Sequence, residues 1–259
     1  MSKLKAKQLP SNQKTLLDVW KIPVSFSAVI KKEAKDIDQN VVDRKEFEND
    51  YWKVIPEVFS VKEDGFSFDD LLKELQPMVV QYYHTLKGKT FSSRRLSCKF
   101  SELEEKEKIA ESTRKVKSLF TYDNVKWYNW NESRLVSMIR DKLAKIFGVR
   151  FNYCLASLYR NGHDVINYHS DYEALNTVIV SVSFGATRKF RFRRKKNNDD
   201  EEKDLSLKKK SKGFDYEYLL SNGDVVLMKV GCQNEYEHCV PQESSIEDPR
   251  INLTFRMFE

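Results

Sequence analysis

Arg250-Ile251-Asn252-Leu253-Thr254-Phe255-Arg256 alternates polar and apolar residues without a break. A period of two is the signature of a half-buried β-strand. Ile251, Leu253 and Phe255 then face a core. Arg250, Asn252, Thr254 and Arg256 line the opposite wall, where two fixed cations and two polar groups suit a small dianion. Upstream, Val178 to Val182 is rich in β-branched residues, Lys189 to Arg193 alternates charged and aromatic residues, and Val225 to Val230 is apolar. All three read as strands. Two helices precede them. Ser67-Phe68-Asp69-Asp70 is a capping signal, followed by Leu71, Leu72, Leu75, Val79 and Tyr83 at helical spacing, with Gly88 ending the helix or opening a turn. The second helix spans about 131 to 147, with Leu135, Met138, Ile139, Leu143 and Ile146 on one side and Gly148 stopping it. The fold class is therefore mainly β with flanking helices.

Within the strand-rich region lie His169-Ser170-Asp171 and, from a different strand, His238. In an extended segment His169 and Asp171 point to the same side. An H-x-D tripeptide alone carries little information. Here two of only four histidines fall in this order beside an Arg-bearing strand. Two imidazoles and one carboxylate are the ligand set of a non-haem Fe(II) facial triad, which leaves positions open for oxygen and a co-substrate.

The 259 residues carry a formal charge of +6 and a pI near 8.9, which mildly favours an anionic partner without separating nucleic-acid binders from other proteins. Cys98, Cys154, Cys232 and Cys239 form no C-x-x-C pair, and no signal peptide or membrane-spanning run is visible. These features read as reduced thiols in an intracellular protein. Residues 1–49 are polar and lysine-rich and read as a mostly disordered tail, with the folded domain expected over 50–259. Within the tail, Gln13, Leu16 and Trp20 resemble the motif that docks on the replicative sliding clamp, although Val19 stands where an aromatic is usual. Charged residues crowd 193–212, which reads as a solvated hairpin insertion; phosphate contact by its lysines is the alternative.

Ser157-Leu158-Tyr159, Arg160-Asn161-Gly162-His163-Asp164, His169-Ser170-Asp171, Val180 to Arg188, Asn222-Gly223-Asp224 and Pro249 to Arg256 together resemble the AlkB family of Fe(II)- and 2-oxoglutarate-dependent dioxygenases. The similarity is to its eukaryotic DNA-repair branch. It is strong over about 150–259, weaker over about 50–149 and absent before 50. It implies a double-stranded β-helix (jelly-roll) core with iron on His169, Asp171 and His238. It also implies 2-oxoglutarate held by Ser157, Tyr159, Arg250, Asn252, Thr254 and Arg256, and O2 as co-reactant. Ser157 departs from the family's usual Asn and reaches less far. Glu173, Tyr122, Lys89 and Arg95 match positions that contact substrate, and Trp127 and Trp130 lie where relatives stack or cover the base. At least one of those tryptophans is expected to be core. The implied reaction is oxidative demethylation of 1-methyladenine and 3-methylcytosine in DNA, releasing formaldehyde, succinate and CO2. The implied setting is a nuclear monomer that contacts flipped bases and no membrane. Two alternatives stand beside it: the same chemistry on RNA or a protein side chain, and a non-catalytic clamp-associated scaffold.

Overall fold

The computed structural model describes residues 46–86, 89–102, 121–123, 125–195 and 213–258. The 13–20 motif, most of the 193–212 insertion and Gly88 lie outside the described residues. In chain order the strands are β1 (Phe47–Glu48), β2 (Trp52–Ile55), β3 (Val80–Leu86), β4 (Lys89–Phe100), β5 (Thr121–Asp123), β6 (Lys126–Tyr128), β7 (Tyr153–Tyr159) and β8 (Ile166–His169). They continue with β9 (Ile179–Gly185), β10 (Arg188–Arg194), β11 (Tyr216–Leu220), β12 (Val225–Met228), β13 (Tyr236–Val240) and β14 (Arg250–Arg256). Helices α1 (Val61–Asp64), α2 (Phe68–Leu75), α3 (Arg134–Phe147) and α4 (Cys232–Glu235) flank them.

Two sheets form. The larger runs β1-β2-β12-β9-β14-β7-β4-β3-β5 with β6 added to β4, and the smaller runs β11-β10-β13-β8. Every pairing is antiparallel except β4 with β6. Phe190 and Phe192 of the smaller sheet meet Trp52, Tyr159, Ile179, Val226 and Met228 of the larger in one core. Trp52 stacks on Phe192 with ring centres 4.0 Å apart, joining the sheets face to face. Burying such a side chain contributes about 1.5–3 kcal/mol, and the inter-sheet layer is built from them. Jelly-roll architecture is the result, as the family resemblance implies.

The alternation of β14 is borne out. Ile251, Leu253 and Phe255 are buried on one face. On the other, Arg250 pairs across to Tyr159, Asn252 to Ser157, Thr254 to Leu155 and Arg256 to Tyr153. Continuing the register to β4 adds Ser97 opposite Ser157 and Lys99 opposite Leu155. The register therefore gives a polar wall across the centre of the larger sheet, the face that looks toward the smaller one.

Helix α2 begins as its sequence predicts, with Ser67 and Asp70 forming a reciprocal capping box and Leu71 and Leu75 buried. It stops at Leu75, so Val79 and Tyr83 do not extend it. Pro77 has no N–H to return to the Lys73 carbonyl, and the β-branched pair Val79-Val80 leads into β3 instead. Helix α3 starts on a Ser133 cap and ends at Gly148, whose φ of 66° is the left-handed stop expected there. Met138, placed by its spacing on the apolar side, is 38% exposed. All four cysteines are buried and free. Among the described residues, no helix is long and apolar enough to cross a membrane.

Candidate metal and co-substrate site

His169 closes β8, and its partner across the ladder on β13 is His238. Cross-strand pairing thus brings together two imidazoles far apart in sequence, with ring centres 4.3 Å apart. Asp171 lies just past the strand rather than within it, at φ −80°, ψ 80°, as the cap of a short 3-10 turn, Tyr172–Ala174. That bend carries its carboxylate to 3.6 Å from His169 Nε2. The three side chains offer ligand atoms all within 4.8 Å of one another.

Each ligand is prepared for a cation. His169 Nδ1 lies 2.9 Å from the Asn167 carbonyl, which holds the proton on Nδ1 and turns a lone pair on Nε2 toward Asp171. Burial lowers the pKa of both imidazoles, and the neighbouring His169 helps to push His238 down to about 3. Both rings are therefore neutral at pH 7, as metal ligation requires. Burial alone would raise the Asp171 carboxyl. The Arg256 guanidinium opposes burial and holds it well below the usual carboxylate range. Arg256 reaches from the larger sheet to Asp171 at 2.8 Å and to Glu173 at 3.8 Å, and its side chain is almost wholly buried.

Arg250 sits at the other end of β14, about 20 Å away for six residues at about 3.4 Å each. The two arginines therefore face different neighbours. Arg250 is 1% exposed, and its Nη2 donates to Ser183 Oγ at 2.9 Å. Its Nε and Nη1 are buried with no partner. Burial lowers its pKa to about 10, still cationic at neutral pH. A buried cation with unused donors is costly unless an anion completes it. Tyr159 lies beside it, ring centre 5.1 Å from the guanidinium carbon. Asn252 donates to Ser181 Oγ at 2.8 Å and accepts from Thr254 at 3.0 Å, so these two members of the wall hold each other in place.

Ser157 also stands on this wall. Its hydroxyl lies 3.1 Å from Ser97 Oγ and accepts from Arg95 Nε at 3.2 Å. Arg95 therefore differs from its expected place on a phosphate-holding lid. It is 7% exposed and points inward, with its guanidinium 5.6 Å from the Tyr82 ring centre. Arg94 takes the outward side, donating to Gln242. Lys89, at the open end of the same strand, is exposed and distant from Arg95. Tyr122 is placed on β5 by its pairing with His84. Of the two tryptophans, Trp130 is core, stacked near Phe100. Trp127 is half-buried against Tyr153 and faces the site. Glu173 follows Asp171 into the site, and burial raises its pKa against the pull of Arg256.

One positioning residue has no signal in the sequence. Gln233 on α4 is 1% exposed and accepts the Asp171 N–H through Oε1 at 2.9 Å, while its amide reaches Met228 Sδ. It fixes the backbone from which the candidate metal-ligating carboxylate projects. Gln233→Leu should weaken metal binding by about 10–100-fold with the ligand set intact, the usual scale for an outer-shell partner. Titration with a divalent ion checks this, and unchanged affinity would remove Gln233 from the site.

A family model described as the 2OG-Fe(II) oxygenase superfamily matches residues 52–256, and the chain belongs to that superfamily. The curated proteins it is similar to include AlkB homologues. It is 35% identical over 128 residues to the alpha-ketoglutarate-dependent dioxygenase alkB homolog 3 of Bos taurus, covering 46% of this chain and 41% of the relative. To the DNA oxidative demethylase ALKBH2 of Bos taurus it is 33% identical over 126 residues, covering 47% and 42%. The chain thus spans about two fifths of the length of these curated relatives. The solved structure of OsALKBH1 aligns with a TM-score of 0.47 at 12% identity, covering 82% of this chain and 100% of that one. Fe(II), 2-oxoglutarate and O2 are the superfamily's reactants. The residues here fit the first two, with neutral imidazoles and a carboxylate for the ion and the unpartnered donors of Arg250 for a carboxylate.

Proposed function

We propose that the protein is a Fe(II)- and 2-oxoglutarate-dependent dioxygenase that demethylates N-alkylated bases in DNA, 1-methyladenine and 3-methylcytosine foremost. The observation that carries this reading is the pairing of an intact His-Asp-His cluster with a buried arginine whose donors await an anion. When bound, iron with O2 and 2-oxoglutarate supplies the oxidant that hydroxylates the N-methyl group. The hydroxymethyl leaves as formaldehyde, with succinate and CO2 as the other products. His169, Asp171 and His238 hold the ion. Arg250, with Tyr159 beside it, grips the far carboxylate of the co-substrate through a planar fork that lysine cannot copy. Arg256 fixes Asp171 and balances its charge; Asn252, Thr254 and Ser157 shape the wall between. The target base leaves the stack to reach the ion and is received between Trp127 and Glu173.

DNA as the substrate rests on the similarity to a DNA oxidative demethylase. Formaldehyde release from matched DNA and RNA oligonucleotides carrying 1-methyladenine tests it. DNA turnover that stops when 2-oxoglutarate is omitted is expected; turnover confined to RNA would overturn the DNA assignment. A non-catalytic scaffold would have no use for the complete ion and anion sites. In the same reading, the protein acts in the nucleus as a monomer with an N-terminal tail before a domain from about residue 50, and Gln13, Leu16 and Trp20 dock the tail on the sliding clamp. A peptide of residues 9–24 should bind the clamp modestly by calorimetry and lose binding in Leu16→Ala/Trp20→Ala. No heat at high peptide concentration would contradict the docking role.

A further inference from the structure

Lys99 takes no part in the chemistry described so far, yet it faces the site. On β4 it pairs with Leu155 of β7 and Trp127 of β6, which puts it on the sheet face that carries Ser157, Thr254 and Arg256. Its Nζ lies 4.9 Å from the centre of the Trp127 ring, and Trp127 in turn meets Tyr153 at 5.8 Å. Burial lowers its pKa to about 8, an effect opposed by the nearby Glu173 carboxylate and reinforced by Arg256. At neutral pH the side chain is therefore mainly an ammonium, half-buried beside the aromatic that receives the base.

Charge around that position decides which bases are welcome. A methyl on N1 of adenine or N3 of cytosine leaves the base cationic near neutrality. On N1 of guanine or N3 of thymine the methyl replaces a proton and the base stays neutral. Arg256 lies 2.8 Å from Asp171 and 3.8 Å from Glu173, so Glu173 is the farther of its two carboxylate neighbours. Lys99 lies within the field of that carboxylate and repels a cationic base.

We propose that Lys99 is a specificity-determining residue of the base pocket, offsetting the preference of Glu173 for cationic lesions so that neutral N-methylated bases are also accepted. This rests on the demethylase reading above. The test compares the iron- and 2-oxoglutarate-supplied protein with Lys99→Met, which keeps the chain length and loses the charge, and Lys99→Arg, which keeps the charge. Single-stranded DNA carries either 1-methyladenine or 3-methylthymine. Lys99→Met should raise the kcat/KM ratio of the cationic to the neutral lesion by about tenfold, while Lys99→Arg holds the wild-type ratio. Fluorescence anisotropy of the same oligonucleotides with metal-free protein should show the same shift in relative affinity. Turnover of both lesions with a ratio unchanged in Lys99→Met would overturn the role of Lys99 and leave the demethylase reading intact. Wild-type protein that turns over neither lesion would overturn both.

Discussion

Asp171→Ala is expected to abolish formaldehyde release and to lower folding stability by about 3–5 kcal/mol, the cost of leaving a buried charge without its partner. The double effect follows from Arg256, almost fully buried and bonded to Asp171 at 2.8 Å. His169→Ala should lose turnover just as fully, yet cost much less stability, because that imidazole is neutral and 30% exposed. Denaturant titration of the two metal-free variants separates them. Equal losses of stability would show that Arg256 does not depend on Asp171, and full activity in Asp171→Ala would remove the carboxylate from the metal site.

Arg250 should behave in the opposite sense. Its Nε and Nη1 are buried without partners, so without co-substrate the charge is a burden on the fold. Arg250→Met should leave the stability of the ligand-free protein unchanged or raise it, since an apolar side chain of similar length replaces a buried cation with unused donors. The same change removes charge-assisted bonds worth about 1.5–3 kcal/mol, which would raise the 2-oxoglutarate requirement by about 10–150-fold. Arg250→Lys should show most of that loss, because the charge survives but the fork does not. Variants with ordinary 2-oxoglutarate kinetics and reduced stability would make Arg250 a structural residue only. Arg256→Lys tests the other end of the strand: its main effect should fall on metal retention, through Asp171.

Much of this arrangement is legible in the chain. The alternation of Arg250 to Arg256 sets the strand, its buried face and its polar wall, because period two admits one solution once Ile251, Leu253 and Phe255 must be inside. The Ser67 and Gly148 signals mark a helix start and a helix stop because caps act locally. What local pattern cannot give is register. That His169 and His238 are cross-strand neighbours depends on β13 meeting β8, and that Arg250 meets Ser183 while Arg256 meets Asp171 depends on what surrounds each end of β14. Arg94 and Arg95 show the same limit. Adjacent and chemically identical, they take opposite faces after an irregular stretch between β3 and β4, and only the pairing assigns Arg95 to Ser157. Gln233 is invisible for a related reason, since its role exists only where α4 passes under Asp171.

Arg250 and the His169-Asp171-His238 cluster together should form one metal and 2-oxoglutarate site. Calorimetric titration of 2-oxoglutarate into the anaerobic Fe(II)-loaded protein, beside Arg250→Met, tests it directly. Saturable one-to-one binding is predicted for the wild type, weakened by about 10–150-fold in the variant. Equal binding by the two proteins, or none by the iron-loaded wild type, would contradict it.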